Sequence, residues 1–470
     1  VSQRLSQARQ STVHPGACVL EVRDPTFDTY DVEMAIWHAG TIVPTERLVE
    51  KKPLLSFDLL PRQETVMTSV DTQFEDVLSG SPGDLGPFYR QAREESPIFW
   101  SEAAEGWIVS RYSDVKSVLA DRESFGPLLE GKGTTSIYGR VILHMDGIEH
   151  RRKDAFIAKH IRNRKLLSGS QEHYIRTLCK ELVDELPLGD PIDLKSGFTT
   201  PMPLIVTAWI MDMEEATGFR TTYDRMVAAS SSNQSGDPDI LRDGLEAIEE
   251  LHELITPRLM ERRSEPGEDY ISTLCKGEYE GAPISDTEIL SSSMFLLAAG
   301  AETTDRALAN LLRILISEPE LWIELQTNRD LLLPALAEGL RFCPPVHAIN
   351  RATKKDASIG NQEIPAGSKV LLLLAAANRD PEMFDEPDRF SLDRFSENAE
   401  AQFSANNTVL SFSHDTHFCT GSLLAKLEMT EGMNLLLDTY NRIKWTEDPP
   451  EEEGYILRGV RSLPVKLQTN

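Results

Sequence analysis

Apolar side chains return every three to four positions over residues 171–186, 239–263 and 286–317, the spacing that gathers them on one face of a helix. The same period predicts shorter helices at 87–96 and 114–120 and a last one at 421–440. Alternation with period two is rarer. It predicts a strand at 106–110, a strand-like tail at 455–467 and a small hairpin sheet within 351–370, where Gly360 and Pro365-Ala366-Gly367 supply the turns. Residues 381–395 carry no period, and glycine-rich or polar breaks fall at 126–139 and 230–238. No internal repeat or long linker interrupts the pattern, so it predicts one large domain over 67–470, mainly α with minor β-sheets. Residues 1–66 mix Ser, Thr, Pro and charges without a sustained period and are expected to form a weakly ordered extension. Met67, just ahead of the first patterned segment, is an expected alternative start of the native chain.

Composition narrows the class. Of 470 residues 40% are hydrophobic and 26% charged, the balance of a chain that buries a large core. Lys+Arg number 48 against 75 Asp+Glu, a formal net charge of −27 that repels polyphosphate and excludes nucleic acid as an expected partner. The five cysteines are scattered, without a CxxC pair or the spacing of a zinc site, so neither a disulfide scaffold nor zinc is expected. Apolar runs at 370–377 and 294–299 fall well short of the roughly 20 residues a membrane span needs. A soluble, cytoplasmic protein is expected.

The segment richest in chemistry is Phe412-Ser413-His414-Asp415-Thr416-His417-Phe418-Cys419-Thr420-Gly421, which runs into the predicted last helix. At a helix start the free backbone N–H groups and the positive dipole end stabilise a thiolate, the form that ligates a metal. On this segment alone Cys419 also reads as an ordinary buried cysteine. Three further segments change that balance. Ala298 to Asp305 (AAGAETTD) lies inside the predicted helix 286–317, and Gly300 there costs about 1 kcal/mol relative to alanine, which asks for a reason. Glu338-Gly339-Leu340-Arg341 is an E-x-x-R ending before Pro344-Pro345, and Pro387-Asp388-Arg389-Phe390 follows in the aperiodic stretch. As a lone signal, an acid three residues from a base is a surface ion pair of little worth.

Together these segments resemble the bacterial cytochromes P450, over about residues 80–470. The resemblance implies the cytochrome P450 fold, haem b as cofactor and Cys419 as the proximal iron ligand, whose electron donation favours O–O cleavage. Phe412 and Phe418 would shield the sulfur, Gly421 would complete the loop, and His417, Arg351 and His150 would hold the haem propionates. Glu302 and Thr303 match the acid–alcohol pair that delivers protons to bound O₂. Glu338, Arg341 and Arg389 match a structural triad beneath the haem. Two positions depart from the pattern. Asp415 stands where glycine is usual, and Asp154, four residues after His150, stands where arginine is expected.

The resemblance further implies a monooxygenase that inserts one atom of O₂ into a small organic substrate. Its electrons would come from a separate ferredoxin and ferredoxin reductase. Residues 126–139, 230–238, 346–349 and 457–460 lie where the family lines its pocket, with His347 a candidate polar contact. Residues 274–290 and 457–460 resemble the branch that oxidises cyclic dipeptides in secondary metabolism. Two other activities remain open on the sequence: a haem-thiolate isomerase or dehydratase that needs no external electrons, and a non-enzymatic haem-binding or sensing protein.

Overall fold

The computed structural model describes residues 10–12, 18–20, 37–38, 41–42, 69–128, 135–213, 216–232 and 237–469. The chain divides into two units, residues 1–65 and 66–470. In the first, Gln10–Thr12 pairs antiparallel with Cys18–Leu20, and Trp37–His38 with Thr41–Ile42. The weakly ordered extension expected over 1–66 otherwise lies outside the described residues.

The second unit is organised around the helix Asp286–Ser317, which spans the residues its period predicts. Ser285 caps it, its hydroxyl accepting from the Glu288 N–H, and Asp286 and Glu288 place negative charge at the positive end of the dipole. It stops at Glu318 because Pro319, the first residue of the next helix, disfavours helical backbone just before it. Leu308, Leu311, Leu312 and Leu315 are fully buried, each stabilising the fold by about 1.5–3 kcal/mol relative to an exposed position. The helix packs against Pro201–Ile210, Pro238–Ser264, Leu332–Phe342 and Ser422–Thr439. Gly300 has a packing reason: a Cβ there would stand 2.8 Å from Thr207 Oγ1, which is itself held by donating to the Pro203 carbonyl.

One five-stranded sheet flanks the helices in the order Ile98–Ser101, Gly106–Val109, Lys369–Leu373, Ala348–Thr353, Phe125–Gly126. Its register sets Arg351 opposite Val370. The predicted hairpin is Ala357–Ile359 with Gln362–Ile364, turning at Gly360, whose positive φ suits glycine. The predicted tail strand is shorter than its period suggests. Its continuous strand is Pro464–Gln468, paired with Arg442–Trp445 and Ile192–Asp193, while Leu457 and Gly459 make only single bridges, to Val346 and Glu453. Upstream, Arg458 is 1% exposed and donates to the carbonyls of Ser81, Gly83, Glu452 and Gly454, which holds the chain in a bend and limits pairing there to isolated bridges.

Candidate active site

The cysteine loop is built from side chains that fix its backbone. Asn407 Nδ2 donates to the carbonyls of Val409 (2.6 Å) and Ser413 (3.0 Å), and the Cys419 N–H donates to the Phe412 carbonyl at 2.9 Å. Ser413 and Asp415 both adopt positive φ, 62° and 60°. Such a conformation costs a non-glycine residue roughly 1–2 kcal/mol. At Asp415 an ion pair offsets it: both carboxylate oxygens accept from Arg122, Oδ2 from Nε at 2.5 Å and Oδ1 from Nη2. The aspartate thus takes the backbone shape glycine would take, and its charge is balanced.

Cys419 differs from the other described cysteines. Cys179 and Cys343 are buried and Cys275 is half-buried, whereas Cys419 has an accessible side chain. Burial pushes the Cys179 thiol up to about 12, and Cys343 further. Cys419 also sits deep among protein atoms, and that depth raises its thiol above the ordinary value, against the backbone N–H groups of Gly421 and Ser422 and the charge of Arg162. Accessibility and depth coincide where a side chain faces a space inside the protein. The helix Ser422–Thr439 starts three residues on, with Gly421 as its N-cap. Phe412 stands against Phe418, ring centres 6.2 Å apart, and against Phe403 at 5.8 Å, an aromatic wall behind the loop.

Nearby polar groups lack partners. The Arg351 guanidinium hydrogen-bonds only the Asn350 carbonyl, at 3.0 Å, and no carboxylate of the described residues pairs with it. Burial lowers it to about 10, so it stays a cation at neutral pH. The rings of His150 and His417 lie 4.2 Å apart, and buried His150 Nδ1 has no partner. Burial, then the charges of Arg351 and His150, hold His417 down to about 4. His414 Nδ1, Thr416 Oγ1 and Ser413 Oγ are also buried and unpaired. Buried polar atoms are ordinarily satisfied, so this concentration marks a place for a ligand. A group carrying carboxylates at its edge and a thiol-binding metal at its centre fits this donor set, since a metal cation ionises a thiol outright. Among the described residues no cluster of three or more His, Cys, Asp or Glu competes as a metal site.

On the long helix, the Thr303 hydroxyl donates to the Ala299 carbonyl at 2.8 Å. Glu302 Oε1 accepts from Arg306 Nε (2.6 Å) and Nη2 (2.5 Å), a pair mostly withdrawn from solvent. The sequence reading missed Arg306, although its i+4 spacing from Glu302 was visible. It also missed Glu428 on the last helix, which is 1% exposed, bonded by Thr304 and pushed well above the carboxylate range by burial. Asp305 faces elsewhere and anchors Lys195, Thr199 and Thr200.

One residue of the expected triad is corrected. Glu338 and Arg341 are fully buried and paired through two bonds, 2.7 and 2.8 Å, but Arg389 is 63% exposed and pairs with Glu386. The third member is Arg394, whose Nε lies 3.0 Å from Glu338 Oε2. Arg389 contributes only its carbonyl, which accepts from Arg341 and Arg394. His347 turns its Nδ1 to the Tyr89 hydroxyl at 2.6 Å, on the wall of a cavity of about 440 Å³ that also touches Arg313, Arg379 and Arg458 but no part of the cysteine loop. The cysteine loop therefore lies away from this cavity. The pocket loops expected at 126–139 and 230–238 lie partly outside the described residues. Tyr138 and Ser230, at their described ends, are joined by a 2.8 Å bond.

Comparison with known proteins bears on what this arrangement does. The family model described as Cytochrome P450 matches residues 97–467. Pulcherriminic acid synthase of Bacillus subtilis is 30% identical over 384 residues, covering 80% of this chain and 94% of that protein. Erythromycin C-12 hydroxylase of Saccharopolyspora erythraea is 29% identical over 384 residues, covering 79% and 92%. Among solved structures, CYP109E1 from Bacillus megaterium in complex with testosterone matches with a TM-score of 0.70 and 26% identity, over 82% of this chain and 99% of that one.

Proposed function

The chain belongs to the cytochrome P450 family and is a haem-thiolate monooxygenase with haem b as its cofactor, and from that premise we propose which of its residues do the work and on what. Haem supplies the activation of O₂ and the transfer of one oxygen atom to the substrate. Cys419 ligates the iron, and the N–H groups of Gly421 and Ser422 steady the charge on its sulfur. Arg351 binds a propionate through its guanidinium fork, and His150 and His417 supply neutral ring nitrogens beside it. The observation that carries this reading is Arg351 beside the two histidines: a half-buried guanidinium that makes no ion pair, with Asp146 acting on it only through its charge, keeps N–H groups free for a carboxylate.

On the long helix, Thr303 and Glu302 would manage protons. The Thr303 hydroxyl, which donates to the Ala299 carbonyl, would turn to donate to oxygen, and Glu302, its Oε1 held by Arg306, would relay the proton. Phe412 and Phe418 keep water from the sulfur. The substrate class tested first is a cyclic dipeptide, supported by the likeness to pulcherriminic acid synthase and by residues 274–290 and 457–460. Electrons come from a separate ferredoxin and its reductase in the cytoplasm. No helix of the described residues is long and apolar enough to cross a membrane.

The test is turnover of a cyclic dipeptide panel under isotopically labelled dioxygen with a ferredoxin and reductase. One labelled oxygen atom in a product supports the reading. Conversion without NADH or O₂ would make the protein an isomerase or dehydratase instead.

A further inference from the structure

Asp154 occupies a position where the family resemblance calls for a cation, and the structure gives that acid a defined set of contacts. It lies on the helix Gly147–Ile161, one turn after His150 and on the same face. Its Oδ1 accepts from the hydroxyl of Thr420, the residue that follows Cys419. Arg162, just past the end of the same helix, stands 3.8 Å from Asp154 Oδ2 and donates from Nε to the Thr420 carbonyl at 3.5 Å. An acid and a base thus grip the backbone and side chain of the residue next to Cys419.

Their charges act on Cys419 with opposite signs. At these positions beside Cys419 the positive charge of Arg162 favours the thiolate and the negative charge of Asp154 opposes it. Asp154 is the less exposed of the two, 22% against 37%, so solvent screens it less. A negative charge beside a metal centre stabilises the more positive oxidation state, and a positive charge stabilises the less positive one. Net charge and hydrogen bonds around a thiolate ligand are established levers on its metal's potential.

We propose that Asp154 and Arg162 form an opposed pair that sets the reduction potential of the haem, with Asp154 offsetting the field of Arg162 and keeping the Cys419 sulfur electron-rich. Asp154 is a positioning and tuning residue here, acting through Thr420, and it touches neither substrate nor iron. The inference rests on Cys419 as the ligand.

The test is a dye-coupled potentiometric titration of substrate-free holoprotein for wild type, Asp154→Asn, Asp154→Glu and Arg162→Gln, each checked by its reduced CO spectrum. Asp154→Asn keeps an oxygen for Thr420 and should shift the midpoint potential upward. Asp154→Glu should stay near wild type, and Arg162→Gln should shift it downward. Potentials that do not move, or that move in the same direction in Asp154→Asn and Arg162→Gln, overturn the proposal, because a merely structural role gives no opposed signs. Should Asp154→Asn fail to take up haem, Arg162→Gln decides alone: a downward shift supports the pair, and no shift or an upward one refutes it. A wild type lacking the thiolate-type CO band would instead refute the ligand assignment, which separates the two failures.

Discussion

Two buried polar clusters in this protein follow opposite rules. Around Glu338 every polar atom is used: its carboxylate takes Arg341, Arg394 and the Ser391 N–H, while Arg341 spends its remaining N–H groups on the carbonyls of Asn378, Pro387 and Arg389. Around Arg351 the reverse holds, with one bond to a neighbouring carbonyl and an unpartnered histidine nitrogen beside it. Arg341 is fully buried and Arg351 half-buried, so both are held largely out of water and burial alone does not explain the contrast. Completeness does: a satisfied network locks a fold, and an unsatisfied one waits for a ligand.

The sharpest way to test the lock is to compare two arginines five residues apart. Arg394→Ala leaves Glu338 short of a partner in a fully buried site and should cost about 3–5 kcal/mol of stability. Arg389→Ala removes an exposed pair and should cost no more than about 1 kcal/mol. Denaturant melts of the two variants read the difference, and the reverse order would restore Arg389 to the triad.

That pair also marks where the sequence was legible and where it was not. The helix Asp286–Ser317 was readable because its apolar period, cap and following proline agree. The E-x-x-R and the cysteine loop were readable because their spacing is local. Arg389 and Arg394 both lie in an aperiodic stretch, where turns rather than spacing decide which guanidinium turns inward, and no local signal separates them. Asp415 read as a disturbance for a similar reason. Its partner Arg122 is nearly three hundred positions away, and only the fold brings them together. The tail was over-read as strand because alternation at 455–463 reflects a bent loop pinned by Arg458.

On the ligand side of the comparison, Arg351→Gln should release haem roughly ten- to a hundredfold faster, as loss of a charge-assisted bond worth about 1.5–3 kcal/mol requires. The haem-free protein should melt within about 1 kcal/mol of wild type, since the substitution removes a half-buried cation that makes no ion pair and feels only the more distant charge of Asp146. Transfer of haem to a scavenging apoprotein and thermal melts of the apoprotein give the two readings. A large loss of apoprotein stability would place Arg351 with the lock.

A smaller effect is expected at Glu428, whose folded-state pKa is raised by burial with Thr304 as its partner. A raised carboxyl binds its proton more tightly in the folded state, so its contribution is full below the unfolded value near 4.5 and is lost as pH rises towards the folded value. The share of stability that Glu428 contributes should therefore fall with pH above about 4.5, read as the difference between wild type and Glu428→Gln. Glu428→Gln should lose that dependence, gaining on wild type at neutral pH while matching it in acid. Parallel stability curves for the two proteins would show that Glu428 is not held neutral.

The central claim is that Cys419, open to an interior space at a helix start, is the sulfur that holds the iron. Its most direct measurement is the reduced CO difference spectrum of haem-loaded wild type beside that of Cys419→His. The account predicts the red-shifted Soret band of thiolate ligation in the wild type and its replacement by a nitrogen-ligand band in the variant. A wild type without that band, or a variant that keeps it, would contradict the account.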